Sequence, residues 1–244
     1  MSLRVKAVQW MLDTIENSFF YPKLASYYRQ TVQESAPVIF DVGANEGQSI
    51  VFFLELFPQA RIFAFEPNQK LFRELEEKFG NQPNVTLVNK GVSSQAGKLI
   101  LNETVTNETS TFEELNFESD YLKKKAAILG MAPKELVVAR YEVEVVTLGS
   151  FILENQLSQV HIVKIDTEGH EMKCLEGLFS ETPVDVNIIQ IEYHHDDMYL
   201  GRASQDGLGD FLGGQGFKLD RRIKHSFGSL DEFLFTKSGA VISP

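Results

Sequence analysis

The stretch Val38-Ile39-Phe40-Asp41-Val42-Gly43-Ala44-Asn45-Glu46-Gly47 decides how this chain is read: an apolar run, an acid, then small residues. Twenty-five residues after Asp41 a second apolar run, Ile62-Phe63-Ala64-Phe65, ends in Glu66-Pro67. A buried strand that stops at an acid and glycines lets a ligand approach the backbone, and the helix that follows offers unsatisfied N–H groups at its start. A side chain larger than Gly at position 43 is expected to obstruct that approach. An acid closing the next strand of a βαβ unit can accept hydrogen bonds from both ribose hydroxyls of an adenosine. The two motifs predict one nucleotide-type ligand gripped from two strands.

Outward from this pair, apolar runs alternate with helical patterns. A strand at 38–41 is followed by a helix from about Gln48 to Phe57, a strand at 61–66, a helix from Gln69 to Phe79 and a strand over Val85–Val88. Such alternation predicts a parallel sheet covered on both faces. Before it, Val5, Val8, Leu12, Ile15 and Phe19 recur at helical spacing and predict an amphipathic helix ended by Pro22. Residues 1–35 therefore read as an N-terminal helical segment and 36–244 as the main domain.

From about Asn102 to Arg140 the pattern breaks into Thr, Asn and Glu, with Lys123-Lys124-Lys125 and then Pro133. This reads as an insertion over the sheet, either a solvated loop and helix or a substrate lid. Its flanks, Gly97–Leu101 and Val143–Thr147, alternate and predict two strands that pair with each other. Strand His161–Asp166, helix His170–Phe179, strand Val186–Tyr193, helix Ser204–Leu212 and strands Phe217–Arg222 and Glu232–Lys237 follow. The sum is a seven-stranded, doubly wound α/β sheet.

Composition narrows the partners. A length of 244 residues, 43% hydrophobic, fits one large core. The net charge of −11 repels phosphate backbones and anionic membrane surfaces, so neither nucleic acid nor membrane is expected as a partner. The single cysteine, Cys174, excludes an internal disulfide and reads as a buried apolar residue. No apolar stretch approaches the roughly 20 residues that span a bilayer. The expectation is a cytoplasmic, reduced protein, with a homo-oligomer left open.

Taken together, Asp-Val-Gly-Ala-Asn-Glu-Gly and Phe-Glu-Pro-Asn resemble the class I S-adenosylmethionine-dependent methyltransferases. Three further stretches resemble the FkbM family more narrowly: Asn89-Lys90-Gly91-Val92-Ser93, Val146-Thr147-Leu148, and Lys164-Ile165-Asp166-Thr167-Glu168-Gly169-His170-Glu171 with Leu175-Glu176-Gly177. Where that family usually places Asp after the Thr-Leu pair, Gly149 stands here. The resemblance implies a Rossmann-like sheet with its last strand antiparallel and S-adenosyl-L-methionine as cofactor. It also implies methyl transfer to a hydroxyl oxygen of a small molecule or glycoside.

In such a sheet the ligand lies beyond the carboxyl ends of the strands, where strand order reverses. The first strand should then sit between the second and the fourth, His161–Asp166. Asp41, Gly43, Ala44, Asn45, Gly47 and Gln48 would face the methionine part of the cofactor. Glu66 would hold the ribose, Pro67 and Asn68 would edge the adenine, and Gly91 and Val92 would complete that side. Asp166 would close the pocket beside the transferable methyl group. A protonated alcohol is a poor nucleophile, so a general base or a metal is wanted nearby. Asp166, Glu168 and His194 are the catalytic candidates, and His195 shares the last of these positions.

A divalent metal is the less favoured option, although Asp166, Glu192 and His194 offer ligands suited to magnesium or manganese. Blander accounts stand beside these: Glu168 and Glu171 favouring a helix N-terminus with His170 solvated, and Arg221-Arg222 as a solvated strand end. Lys164 either approaches the site or flanks the sheet. A nicotinamide-dependent oxidoreductase is the rival enzyme class, but Asn45 replaces the middle glycine of Gly-x-Gly-x-x-Gly. A catalytically silent cofactor-binding module is the third reading.

Overall fold

A computed structural model of the chain describes residues 20–106, 110–181, 185–225 and 230–237. Strands β1 (Val38–Val42), β2 (Arg61–Phe65) and β3 (Val85–Val88) alternate with helices α2 (Gln48–Leu56) and α3 (Gln69–Phe79), after a first helix α1 (Tyr21–Thr31). Strands β4 (Gly91–Val92), β5 (Gly97–Thr104) and β6 (Val137–Val146) follow, with α4 (Asp120–Leu129) between the last two. The chain continues through α5 (Leu148–Glu154), β7 (Val160–Ile165), α6 (Glu171–Leu178), β8 (Val186–His194), α7 (Gln205–Gly214), β9 (Phe217–Lys224) and β10 (Leu230–Lys237).

The main sheet has seven strands in the order β3-β2-β1-β7-β8-β10-β9. β1 pairs in parallel with both β2 and β7, so strand order reverses at β1, as the sequence predicts. β10 runs antiparallel to β8 and to β9, and lies between them. Phe40, Val42, Phe63, Phe65, Val163 and Ile165 face a core shared with α5, α6 and α7. Ile39, Ile62, Ile162 and Ile188 face the opposite core, built with α1, α2 and α3. Burial on both faces explains why these strands read as continuous apolar runs. Cys174 is fully buried in the first of the two cores.

The predicted pair of flanking strands forms, but it is longer than expected. β5 and β6 pair antiparallel from Gly97↔Val145 to Thr104↔Val137, and β4 joins β6 to make a three-stranded second sheet. The ends of the 102–140 insertion are therefore strand. Its middle is no bare solvated loop: Leu122, Ala126 and Leu136 form a small core with Leu115, Met198 and Tyr199. Ser119 caps α4 by accepting from Leu122 N at 3.3 Å. Pro22 sits in the first turn of α1, a place where its missing N–H costs nothing. The helix expected over Val5–Phe19 lies outside the described residues. Among the described residues no helix is long and apolar enough to cross a membrane.

Candidate active site

The end of β1 is stitched onto the end of β2. Gly43 N and Ala44 N both donate to Phe65 O at 3.0 Å. Asn45, in the left-handed region at φ 49° that Asn tolerates, donates its N–H to Glu66 Oε2 at 2.9 Å. Asn68 N donates to Glu66 Oε1 at 2.8 Å, while Asn68 Oδ1 caps α3 through Lys70 N and Leu71 N. Glu66 thus ties the two predicted motifs together. Burial drives its carboxyl up to about 7, against the two backbone donors that favour its charge.

Gly43 is required for a further reason that the sequence does not show. A Cβ there would lie 1.8 Å from the carbonyl oxygen of Asp166, because the adjacent β7 holds Asp166 N on Val42 O at 3.0 Å. The obstacle is the neighbouring strand's backbone. Gly47, at φ 90°, likewise brings the start of α2 against Phe79, where a Cβ would lie 2.4 Å from the ring. Gln48 is exposed, Ala44 buried and Pro67 half-buried. Gly91 faces Phe112 and Val145, and the Val92 side chain belongs to the core.

Asp41 and Lys164 are register partners on β1 and β7, which sets them side by side. Lys164 Nζ lies 3.0 Å from Asp166 Oδ2 and 3.7 Å from Asp41 Oδ1. Ser49 Oγ donates to Asp41 Oδ2. Burial opposes the Lys164 charge, but Asp166 and Asp41 more than offset it and hold the ammonium above its ordinary value. Burial alone would raise Asp166; Lys164 and a hydrogen bond from Glu192 reverse the sign and hold its carboxyl low. Burial and the nearby Asp166 charge push Glu192 up to about 8. Asp166 is therefore the ionised member of this pair. Lys164 approaches the site, and its two-residue offset from Asp166 in an extended strand is the signal that places both on one face.

The ends of β7 and β8 converge as expected. His194 Nε2 lies 3.1 Å from Glu168 Oε2 and 3.7 Å from Glu192 Oε2, and Nδ1 lies 3.7 Å from Asp196 Oδ2. Burial works against charge on His194, yet Glu168 and the other carboxylates raise its pKa well above the ordinary value. Tyr199 OH donates to Glu168 Oε2. Glu168 itself is in the left-handed region at φ 56°, with its carbonyl held by Thr111 Oγ1 at 2.7 Å. A non-Gly residue kept there by its surroundings is a mark of functional loops.

The His-His pair splits. His195 turns away to hydrogen-bond Asp231, which also binds Arg222, so Arg222 is tied at its strand end and not merely solvated. His170 is buried: its Nε2 meets Ser93 Oγ at 3.0 Å and its Nδ1 meets Glu113 Oε1 at 2.7 Å. Glu171 accepts from Thr167 N at 3.3 Å and Gly169 N at 2.9 Å, and so shapes the 166–170 loop. Gly149 packs against Glu181 and the Gly177 carbonyl, with a Cβ only 3.0 to 3.1 Å from them. The insertion residues Thr111 and Glu113 and the loop residue Tyr199 carried no sequence signal, because contacts between distant loops leave no periodicity.

The fit of an adenosyl cofactor can be tested on the groups left over. Asn45 Oδ1 and Asn68 Nδ2 are buried and have no hydrogen-bond partner among the described residues. They flank Glu66, whose oxygens keep lone pairs beyond the two N–H bonds they accept. One orphan acceptor, one orphan donor and a carboxylate match the mixed polarity of an adenosine. Asn45 stands where a pyrophosphate-binding loop would need its middle glycine.

Comparison with known proteins agrees. The 2-O-methyltransferase NoeI of Sinorhizobium fredii (strain NGR234) is 24% identical over 192 residues, 76% of this chain and 76% of that protein. The hexuronic acid methyltransferase AglP of Haloferax volcanii is 26% identical over 163 residues, 66% of this chain and 57% of that protein. The crystal structure of the methyltransferase FkbM from Methylobacillus flagellatus KT superposes with a TM-score of 0.54 at 14% identity. That match covers 86% of this chain and 46% of that one, and it speaks for the fold. The family profile described as the methyltransferase FkbM domain matches residues 41–234, from the buried Asp41 of β1 to the reversed strand β10, and the chain belongs to that methyltransferase family.

Proposed function

We propose that this protein transfers a methyl group from S-adenosyl-L-methionine to a hydroxyl oxygen of a small molecule or glycoside. One observation carries the reading: Glu66 joins the loop after β1 to the loop after β2, and that first loop lies against the backbone of Asp166. Asn45, Glu66 and Asn68 hold the adenosyl part, with Asp41, Gly43, Ala44, Gly47 and Gln48 shaping the methionine side and Pro67 and Gly91 the adenine side, while the Val92 side chain packs into the core behind it. When bound, the cofactor supplies an electrophilic methyl group that needs alignment and a dry pocket more than further activation.

Asp166 takes the acceptor's proton, and Lys164 keeps that carboxylate ionised and in place. Glu168 and His194 line the acceptor side. Residues 36–244 form the catalytic unit, and 102–140 acts as a lid anchored to the site through Thr111 and Glu113. NoeI, named a 2-O-methyltransferase, and AglP, named a hexuronic acid methyltransferase, support oxygen as the acceptor atom and a sugar as its carrier. Incubation with methyl-labelled cofactor and a panel of glycosides and hydroxylated metabolites should place label on an acceptor oxygen. Label found only on nitrogen or carbon acceptors contradicts the oxygen assignment.

The pH dependence of cofactor binding follows from Glu66. Its pKa in the folded protein, about 7, lies above the unfolded value near 4.5. The folded state thus holds the proton more tightly, and this contribution to stability is present below pH 4.5 and lost as pH rises through about 7. Ribose hydroxyls donate to the charged form, so affinity moves the opposite way. S-adenosylhomocysteine should bind about tenfold more tightly at pH 8 than at pH 6, the change in the ionised fraction of a group titrating near 7. Calorimetric titration of Glu66→Gln should show no such slope.

A further inference from the structure

We infer that Glu168, Glu192 and His194 form a binding site for one divalent cation of the manganese and magnesium class, on the acceptor side of the pocket. One ligand atom from each of the three lies within 4.8 Å of the others. His194 Nε2 is 3.1 Å from Glu168 Oε2 and 3.7 Å from Glu192 Oε2. Neighbouring ligands of a six-coordinate cation bound at about 2.1 Å stand about 3 Å apart, so a small closure completes the site.

The second observation is the state of His194. The residue is only 6% exposed, and neither ring nitrogen makes a hydrogen bond among the described residues despite the carboxylates around it. Buried polar groups are nearly always partnered, so orphan imidazole nitrogens facing carboxylate oxygens leave a place that a cation shared among them would fill. The support is also built: Thr111 fixes the Glu168 backbone, and Tyr199 donates to the Glu168 carboxylate.

A neighbouring trio, Glu192, His225 and Glu232, has similar spacing but is satisfied from within. His225 Nε2 meets Glu232 Oε1 at 3.3 Å, Gln190 donates to Glu232 Oε2 at 3.0 Å, and Phe20 stacks on the His225 ring. Two carboxylates with one imidazole and no thiolate favour manganese or magnesium over softer metals. The role rests on the proposed methyl transfer: a cation there lowers the pKa of a hydroxyl presented to it, beside the ionised Asp166.

The test uses the full chain, stripped with chelator and titrated with manganese(II) chloride without cofactor or acceptor, following free manganese by electron paramagnetic resonance. One saturable site is expected, weakened at least about tenfold by Glu168→Gln and by His194→Gln in protein with unchanged circular dichroism. In the wild type, sub-stoichiometric manganese should broaden one imidazole signal first among the five histidines, that of His194. This needs no variant to fold. Absence of saturable binding, or equal affinity in both folded variants, or broadening centred on another histidine, overturns the site. Because binding is read without turnover, failure of the cation site and failure of the methyl-transfer assignment are separate results.

Discussion

Asp166→Asn is expected to lower kcat by about 10²–10⁴-fold, the range for loss of a general base, while S-adenosylhomocysteine still binds within about threefold of wild type. The substitution keeps the shape of the side chain and removes its charge. Lys164 retains Asp41 as a partner, so the ammonium is not stranded. The proposed cofactor contacts of Asn45, Glu66 and Asn68 do not pass through the Asp166 side chain. Single-turnover methyl transfer in parallel with calorimetry separates the two effects. Equal loss of binding and turnover would assign Asp166 to cofactor binding, and an unchanged kcat would remove it from catalysis.

Gly43→Ala is expected to cost about 3–4 kcal/mol of folding stability, the sum of left-handed strain and overpacking against a backbone atom. The added Cβ would lie 1.8 Å from Asp166 O, and no rotamer change relieves a clash with backbone. β1 and β7 are also locked in register from Ile39↔Ile162 to Val42↔Ile165, so the strands cannot part locally. A melting temperature lower by roughly 10 °C follows for a chain of this size. Gly209→Ala is the control: it lies within α7 with nothing within 4 Å of its Cβ, and it should be neutral or slightly stabilising. Equal stability of the two variants would refute the close approach of β1 and β7.

What could be read in advance follows from how each feature is encoded. The parallel strands are written as short apolar runs, and an acid at the end of a run marks a carboxyl edge, which is where Asp41, Glu66 and Asp166 stand. Lys164 and Glu192 were legible in principle, since each stands two residues from a site residue in an extended strand, on the same face. The stretch Val137–Val146 alternates half-buried and exposed residues along most of its length, and only its second half, from Val143, reads as strand in the sequence. Gly43 was singled out, but its reason was not legible, because the atom it avoids belongs to a strand more than a hundred residues away. His170 reads as a solvated residue at a helix start; only the meeting of Ser93 and Glu113 around it explains its burial.

Binding of the adenosyl cofactor by the loops after β1 and β2 is tested by titrating S-adenosylhomocysteine into wild type and Glu66→Ala. One site is expected in the wild type and about 100-fold weaker binding in the variant, as two hydrogen bonds to a charged acceptor are lost at about 1.5 kcal/mol each. NAD should not compete. Undetectable binding to folded wild type, affinity indifferent to Glu66, or displacement by NAD would contradict it.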